Sequence, residues 1–167
     1  MKQSMAVLTS QATTEWYTPA WIIALARATM SGIDLDPASN IQAQQTVQAT
    51  RFYTAVEDGY SKPWSGRVWL NPPFDDTPRW VRRLGAAYAD KDVSQAVLLV
   101  NSAPGYSWWE ALWRVYPVCM LEKRVAFLSD AGVSAGTAKK GTTIAYFGPE
   151  PSRFERVWAA YGRVVFP

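Results

Sequence analysis

The chain has 167 residues, 49% of them hydrophobic, a formal net charge of +3, a single cysteine and no histidine. That length and apolar content suit one compact domain over 1–167, with 1–13 expected as a flexible amino-terminal segment. The missing histidine removes the common Cys/His zinc sites and the Ser-His and Cys-His triads, so no metal site is expected, and the lone Cys119 removes an intramolecular disulfide framework.

In chain order, Thr18-Pro19 starts a helix that runs through Thr29, with Trp21, Ile22, Leu25 and Ala26 as its apolar stripe and Gly32 as its stop. Ile33 to Asp36 reads as a short strand. Ser39 and Gln42 form a capping-box pattern for a helix to about Ala49, and Arg51 to Thr54 reads as another strand. Val68 to Leu70 is a strand. Thr77-Pro78 opens a helix that carries Val81, Leu84 and Tyr88 at helical spacing, and the apolar run Ala96 to Val100 follows as a strand. Ser107 and Glu110 repeat the capping pattern for a helix with Trp109, Leu112, Trp113 and Tyr116 on its buried side. Pro117 to Leu121, Val125 to Leu128 and Thr142 to Phe147 read as strands, Ser152 to Tyr161 as a helix, and Val164 to Phe166 as a last strand. Wholly apolar strands between helices point to an α/β fold, a mostly parallel sheet with helices on both faces. In such a sheet ligands bind at the carboxyl ends of the strands. No apolar run is long enough to cross a membrane, and Met5 to Leu8 is too short for a signal.

The most informative segment is Asn71-Pro72-Pro73-Phe74, which ends the strand Val68 to Leu70 in a stiff corner. Two prolines fix two φ angles and remove two backbone donors, leaving the Asn71 amide and neighbouring carbonyls beside the flat Phe74 ring. Such a corner suits gripping a planar amine. The tetrapeptide closely resembles the Asn-Pro-Pro-aromatic motif of S-adenosylmethionine-dependent amino-methyltransferases, which act on the exocyclic amine of adenine or cytosine or on the glutamine side-chain amide. Around it, Glu15-Trp16-Tyr17-Thr18-Pro19, Asp34-Leu35-Asp36-Pro37-Ala38-Ser39, Asp58-Gly59-Tyr60 with Trp64, and Trp80 occur in one order. With the looser Arg124 to Phe127 and Thr142 to Phe147 runs, they resemble the phage DNA N-6-adenine methyltransferase family from about Glu15 to Phe147.

The resemblance implies a Rossmann-like class I methyltransferase fold, S-adenosylmethionine as cofactor, and methyl transfer to the N6 amine of adenine in DNA. It implies a protein of the cytoplasm of a bacterial or phage-infected cell. It gives Asn71, Pro72, Pro73 and Phe74 the catalytic corner, with Asn71 Oδ1 and the Pro72 carbonyl accepting the amine hydrogens while Phe74 stacks on the base. It places the cofactor around Asp36, Pro37, Ala38 and Ser39, where helix-start amides receive its carboxylate. Trp16, Tyr17 and Thr18 close over it, and Asp58 sits near its adenine amine. The chain departs from many amino-methyltransferases in having Ala38-Ser39-Asn40 where they have a glycine-rich turn. Asp34 alternates with Asp36 and so faces away from the pocket.

The mild positive charge is of the sign expected for a nucleic-acid partner. Arg79, Arg82 and Arg83 lie on one helix as a basic face. Lys139 and Lys140 lie in the glycine-containing segment Ser129 to Gly141, expected to be mobile and to reach phosphate. No insertion is large enough for a separate target-recognition domain. A protein glutamine N-methyltransferase would share the corner without needing basic loops. A non-catalytic nucleic-acid-binding module would share the basic and aromatic content without needing the corner.

Overall fold

A computed structural model of the chain describes residues 16–129 and 132–167. The segment expected to be flexible, 1–13, lies outside the described residues. The elements alternate as α1 (Ala20–Met30), β1 (Leu35–Ser39), α2 (Ile41–Val47), β2 (Arg51–Thr54), β3 (Gly66–Leu70), α3 (Thr77–Ala89) and β4 (Val93–Asn101). They continue as α4 (Ser107–Val115), β5 (Val118–Leu121), β6 (Ala126–Leu128), β7 (Ser134–Thr137), β8 (Thr142–Phe147), α5 (Pro151–Trp158) and β9 (Gly162–Val165).

Seven strands form one sheet in the order β2-β1-β3-β4-β8-β5-β9, and β6 pairs with β7 in a separate hairpin. The β1–β2, β1–β3 and β3–β4 pairings are parallel, whereas β8 and β9 run against their neighbours. The expectation of a mostly parallel sheet therefore holds for the half that carries β1 to β4 and fails for the other half. Apolar runs such as Thr142 to Phe147 record burial on both faces but not strand direction, which is why direction was not legible.

Strand alternation divides the core in two. Val68 and Leu70 of β3 and Ala96, Leu98 and Val100 of β4 face α3 and α4, packing on Leu84, Ala87, Trp109 and Leu112. Trp69, Val97 and Leu99 face the other side, against Ile22, Ile23 and Ala26 of α1 and Phe154 and Trp158 of α5. Helices thus cover both faces, and each fully buried Leu or Val contributes about 1.5–3 kcal/mol. Trp158 is wholly buried and donates from Nε1 to Thr29 Oγ1 at 2.9 Å, satisfying the polar end of a large core ring. Cys119 is also buried, and desolvation pushes its thiol up to about 12, so it packs as a small apolar group.

Several local expectations change. Asn40, not Ser39, caps α2, accepting from Ala43 N at 2.8 Å, because pairing with Thr54 draws Ser39 into β1. Ser107 begins α4 instead of capping it, while Glu110 Oε1 accepts from Gly105 N at 3.2 Å. Trp21 is turned outward and stacks on Tyr161 at 5.3 Å, while Ile23 and Met30 complete the buried stripe of α1. The segment read as a mobile loop, Ser129 to Gly141, contains β7, which pairs with β6.

Chain order runs from β1 outward to β2 and then returns to β1's other side for β3 and β4. The carboxyl ends of β1 and β3 consequently diverge at a switch point, where loops leave in opposite directions and open a crevice.

Candidate active site

A cavity of about 700 Å³ fills that crevice. Its walls are the segment 16–18, the end of β1 with the start of α2, the turn after β2, and the corner after β3. Asn71, Pro72, Pro73 and Phe74 line it, as do Trp16, Tyr17, Thr18, Asp36, Pro37, Ala38, Ser39 and Asp58. Arg79 also lines it, whereas Lys139 and Lys140 are exposed at the turn between β7 and β8, outside the cavity's lining.

The corner follows directly from β3. Pro72 is buried, Phe74 is 45% exposed, and the Pro73 carbonyl accepts from Asp76 N at 3.2 Å and from Thr77 Oγ1 at 3.2 Å. Asn71 Nδ2 donates to Thr18 Oγ1 at 3.2 Å. The other end of the same amide, Oδ1, is buried without a hydrogen-bond partner among the described residues. A buried unpaired acceptor costs about 1–3 kcal/mol unless something supplies a donor.

Asp36 is 2% exposed and is the second residue of β1, not its last as the sequence suggested. Burial pushes its carboxyl up to about 7, against hydrogen bonds from the Ser39 hydroxyl, the Ala38 amide and Gln44 that favour the charged form. Gln44 ties this wall together: Nε2 donates to Asp36 Oδ2 at 2.9 Å and to Ser39 Oγ at 2.8 Å, and Oε1 accepts from Ala49 N at 2.9 Å. The structure moves the helix start past the expected residues, to Ile41. Pro37 to Ser39 belong to β1, and the Ala43 amide of α2 is already capped by Asn40. Asp34, as its alternation implies, points away and forms a close pair with Arg67 at 2.7 Å.

Opposite, Asp58 adopts a left-handed φ of 53° on an exposed turn. Its neighbour Gly59 lies so close to β1 that an added Cβ would sit 1.9 Å from the Pro37 carbonyl oxygen. Trp64 Nε1 donates to the Gly59 carbonyl at 2.8 Å and so fixes the turn from behind.

The aromatic wall was only partly legible. Phe127 on β6 meets Trp16 edge-to-face at 6.1 Å and Phe74 edge-to-face at 6.3 Å, joining the amino-terminal segment to the corner. Tyr17 forms a backbone bridge with Leu128, N to O at 2.9 Å and the reverse at 3.0 Å, and its hydroxyl accepts from Asn40 Nδ2 at 3.3 Å. No local sequence signal links Phe127 with residues so distant along the chain. The basic face of α3 is similarly engaged with aromatics. Arg79 lies 3.8 Å from the Tyr60 ring centre and 3.3 Å from Asp76, Arg83 lies over Trp64 at 5.0 Å, and Arg82 is exposed.

The sequence profile of the DNA N-6-adenine-methyltransferase (Dam) family matches residues 6–153. The chain belongs to the Dam family of DNA N-6-adenine-methyltransferases. No match to it was found among curated proteins. Membership carries DNA adenine methylation as the general activity and DNA as the general substrate. Among the described residues no helix is long and apolar enough to cross a membrane.

Proposed function

We propose that this Dam-family chain transfers a methyl group from S-adenosylmethionine to the N6 amine of adenine in DNA. We take its described residues as one catalytic domain of Rossmann-like class I architecture. The observation that carries the reading is Asn71, a residue of the cavity wall whose Oδ1 has no hydrogen-bond partner among the described residues. An amine hydrogen supplied by a substrate would satisfy it. With the Pro73 carbonyl engaged by Asp76 and Thr77, the Pro72 carbonyl is the acceptor for the second amine hydrogen, and the exposed Phe74 ring is the stacking surface for the base.

The chemistry follows from what the amine lacks. Its lone pair is delocalised into the purine, and two acceptors drawing on its two hydrogens favour the bent geometry in which that pair is available. Positive charge growing on nitrogen in the transition state strengthens both hydrogen bonds, which is the differential stabilisation that catalysis requires. The Pro-Pro corner holds these acceptors before the substrate arrives, so little reorganisation accompanies the step. The product nitrogen then loses its proton to water, and a chain without histidine meets no obstacle. In duplex DNA the adenine must leave the stack to reach a recessed corner.

The residues present fit the cofactor. A cavity of about 700 Å³ has the size of a cofactor pocket, and Asp36, Asp58, Asp75 and Asp76 give it an acidic lining suited to a cation. S-adenosylmethionine, when bound, supplies an electrophilic methyl group on a sulfonium. Asp36 to Ser39 and Asp58 are the residues assigned to hold it, with Trp16, Tyr17 and Thr18 enclosing it. The test is incubation with methyl-labelled S-adenosylmethionine and, separately, DNA, RNA and protein acceptors, followed by nucleoside digestion. Label in N6-methyladenine from DNA is the expected result. Label in glutamine, or none with protein that binds the cofactor, refutes the reading.

A further inference from the structure

We infer that Tyr106 stacks on a DNA base left bare when the target adenine leaves the duplex, holding the gap open while the adenine occupies the corner. The inference rests on the adenine-methylation reading above.

Extruding an adenine breaks its stacking on both neighbours. The corner compensates the adenine, yet the bases on either side of the gap keep a bare face. A flat ring entering that gap from the protein side replaces the lost contact, and every base offers it a face of the same kind.

Tyr106 is held as such a ring. It is 62% exposed, the most exposed aromatic among the described residues, and its side chain has neither a hydrogen bond nor a ring contact among them. Trp21 and Tyr161, by contrast, cover each other. A single exposed ring is ordinary; the backbone under this one is not. Tyr106 N donates to the Ala103 carbonyl at 3.1 Å, closing a turn in which Pro104 fixes one φ and Gly105 takes the φ of 86° that a type II turn needs at its third residue. Gly105 N donates to Glu110 Oε1 at 3.2 Å, and the Tyr106 carbonyl accepts from Trp109 N and Glu110 N, each at 3.0 Å. The turn is thereby fastened to α4, whose Trp109 and Leu112 lie in the core. A ring on so stiff a base loses little freedom when it binds.

Its place in the sheet fits the role. The parallel strands β3 and β4 pair Leu70 with Leu98; β3 ends there in the corner, while β4 runs on to Asn101, about 10 Å farther. The turn carrying Tyr106 therefore leaves the same sheet edge as the corner and stands out beyond it, so that a base moves into the recess while a ring projects the other way. The turn is also tied to a basic rim. Ser102 N donates to the Gly141 carbonyl at 2.8 Å, beside Lys139 and Lys140, and Arg124 Nη1 donates to the Lys139 carbonyl at 2.7 Å. Lys123, Arg124, Lys139 and Lys140 are exposed there against one exposed acid, Glu122. Cations for phosphates and an unpartnered ring for a base are the two halves of a surface for an opened DNA strand.

Tyr106→Ala removes the ring, Tyr106→Phe removes only the hydroxyl, and Tyr106→Trp exchanges one flat ring for another. Binding is measured with S-adenosylhomocysteine present, so that no methyl is transferred, on three duplexes: one that the parent methylates, the same duplex with an abasic site at the target, and one of G·C pairs alone, with no adenine to extrude. Tyr106→Ala is expected to weaken binding to the first two by about 5- to 150-fold, the range for one base–aromatic stack, and to the third by less than about twofold. Tyr106→Phe and Tyr106→Trp stay within about threefold of the parent on all three, because the ring and not the hydroxyl makes the contact. The log-log salt slope, thermal melting and cofactor Kd of Tyr106→Ala match the parent, since no phosphate contact or packing is lost. Parent-like binding of Tyr106→Ala to the methylated duplex, an equal loss on the G·C duplex, Tyr106→Phe as weak as Tyr106→Ala, or a fall in melting or cofactor binding overturns the inference while leaving methyl transfer intact. A parent protein that binds the cofactor but methylates no DNA overturns the functional reading and this inference with it.

Discussion

Asn71→Ala is expected to abolish most activity while leaving the fold close to the parent in stability, or above it. Two stability effects oppose each other. The substitution removes the 3.2 Å bond from Nδ2 to Thr18, worth about 0.5–1.5 kcal/mol net. It also removes a buried acceptor without a partner, whose presence costs about 1–3 kcal/mol. The balance runs from about 0.5 kcal/mol of destabilisation to about 2.5 kcal/mol of stabilisation, and at this chain length 1 kcal/mol moves Tm by about 2–4 °C. For the reaction, losing one preorganised hydrogen-bond partner of a developing charge lowers kcat by about 10²–10³. Cofactor affinity changes little, because the deleted oxygen is assigned to the substrate amine. Thermal denaturation, cofactor titration and methyl incorporation on one preparation decide the matter. A Tm lowered by more than about 5 °C would show that the amide is a structural element. Turnover equal to the parent would remove Asn71 from the mechanism.

Gly59→Ala places a Cβ 1.9 Å from the Pro37 carbonyl oxygen and 2.8 Å from Tyr53 Cβ. The first is backbone and cannot swing aside, so the turn and the end of β1 must separate, costing about 1–3 kcal/mol or more. Cofactor affinity is expected to fall with the Tm, and unchanged binding and melting would show that the turn is not seated on β1 as described. Lys139→Ala combined with Lys140→Ala is expected to lower the log-log salt slope of DNA binding by about two units, one for each phosphate that a lysine no longer neutralises, with sequence preference little altered. An unchanged slope across a salt series would assign phosphate binding to exposed groups nearer the cavity, Arg79 and Arg82.

What the sequence displayed well was anything written in consecutive residues. Leu70 followed by Asn71-Pro72-Pro73-Phe74 announces a strand and its corner, and Val97, Leu98 and Leu99 in succession announce a strand buried on both faces. What it hid depends on partners brought from afar. The direction of β8 is set by pairing with β4, which its own apolar residues do not encode. β7, Ser134–Thr137, has little intrinsic strand preference and exists through its pairing with β6. Ser39 and Asn40 are both good caps, and the choice between them falls to the Ser39–Thr54 pairing. The site divides in the same way. The corner and the Asp36 to Ser39 run were visible as motifs, whereas the Thr18–Asn71 hydrogen bond and the Phe127 ring between Trp16 and Phe74 required the folded chain.

Asp36 ties the stability of the fold to the ligand chemistry through pH. Its carboxyl, near 3.8 when solvated, is raised to about 7 by burial. Between those values the folded protein holds a proton that the unfolded chain has lost, so stability falls as pH rises from about 4 to about 7 and levels off above. A separation of roughly three units corresponds to a loss on the order of 4 kcal/mol. Asp36→Asn removes that slope, although its amide hydrogens would face donors such as Gln44 Nε2 and offset part of the gain at high pH. A cationic or hydroxyl-bearing ligand interacts best with the carboxylate, so binding near Asp36 must release the proton wherever the free protein still holds it. Cofactor affinity is therefore expected to rise by up to tenfold per pH unit below about 7 and to flatten above it, with close to one proton released at pH 6 and few at pH 8. Calorimetric titration in two buffers of different ionisation enthalpy measures that proton directly, and denaturant unfolding of the free protein from pH 5 to pH 8 measures the stability slope. Asp36→Asn should lose both dependences. A parent whose stability is flat over that range would show that Asp36 is ionised in the free protein. A sloping stability with no proton release on binding would place the cofactor's polar groups away from Asp36.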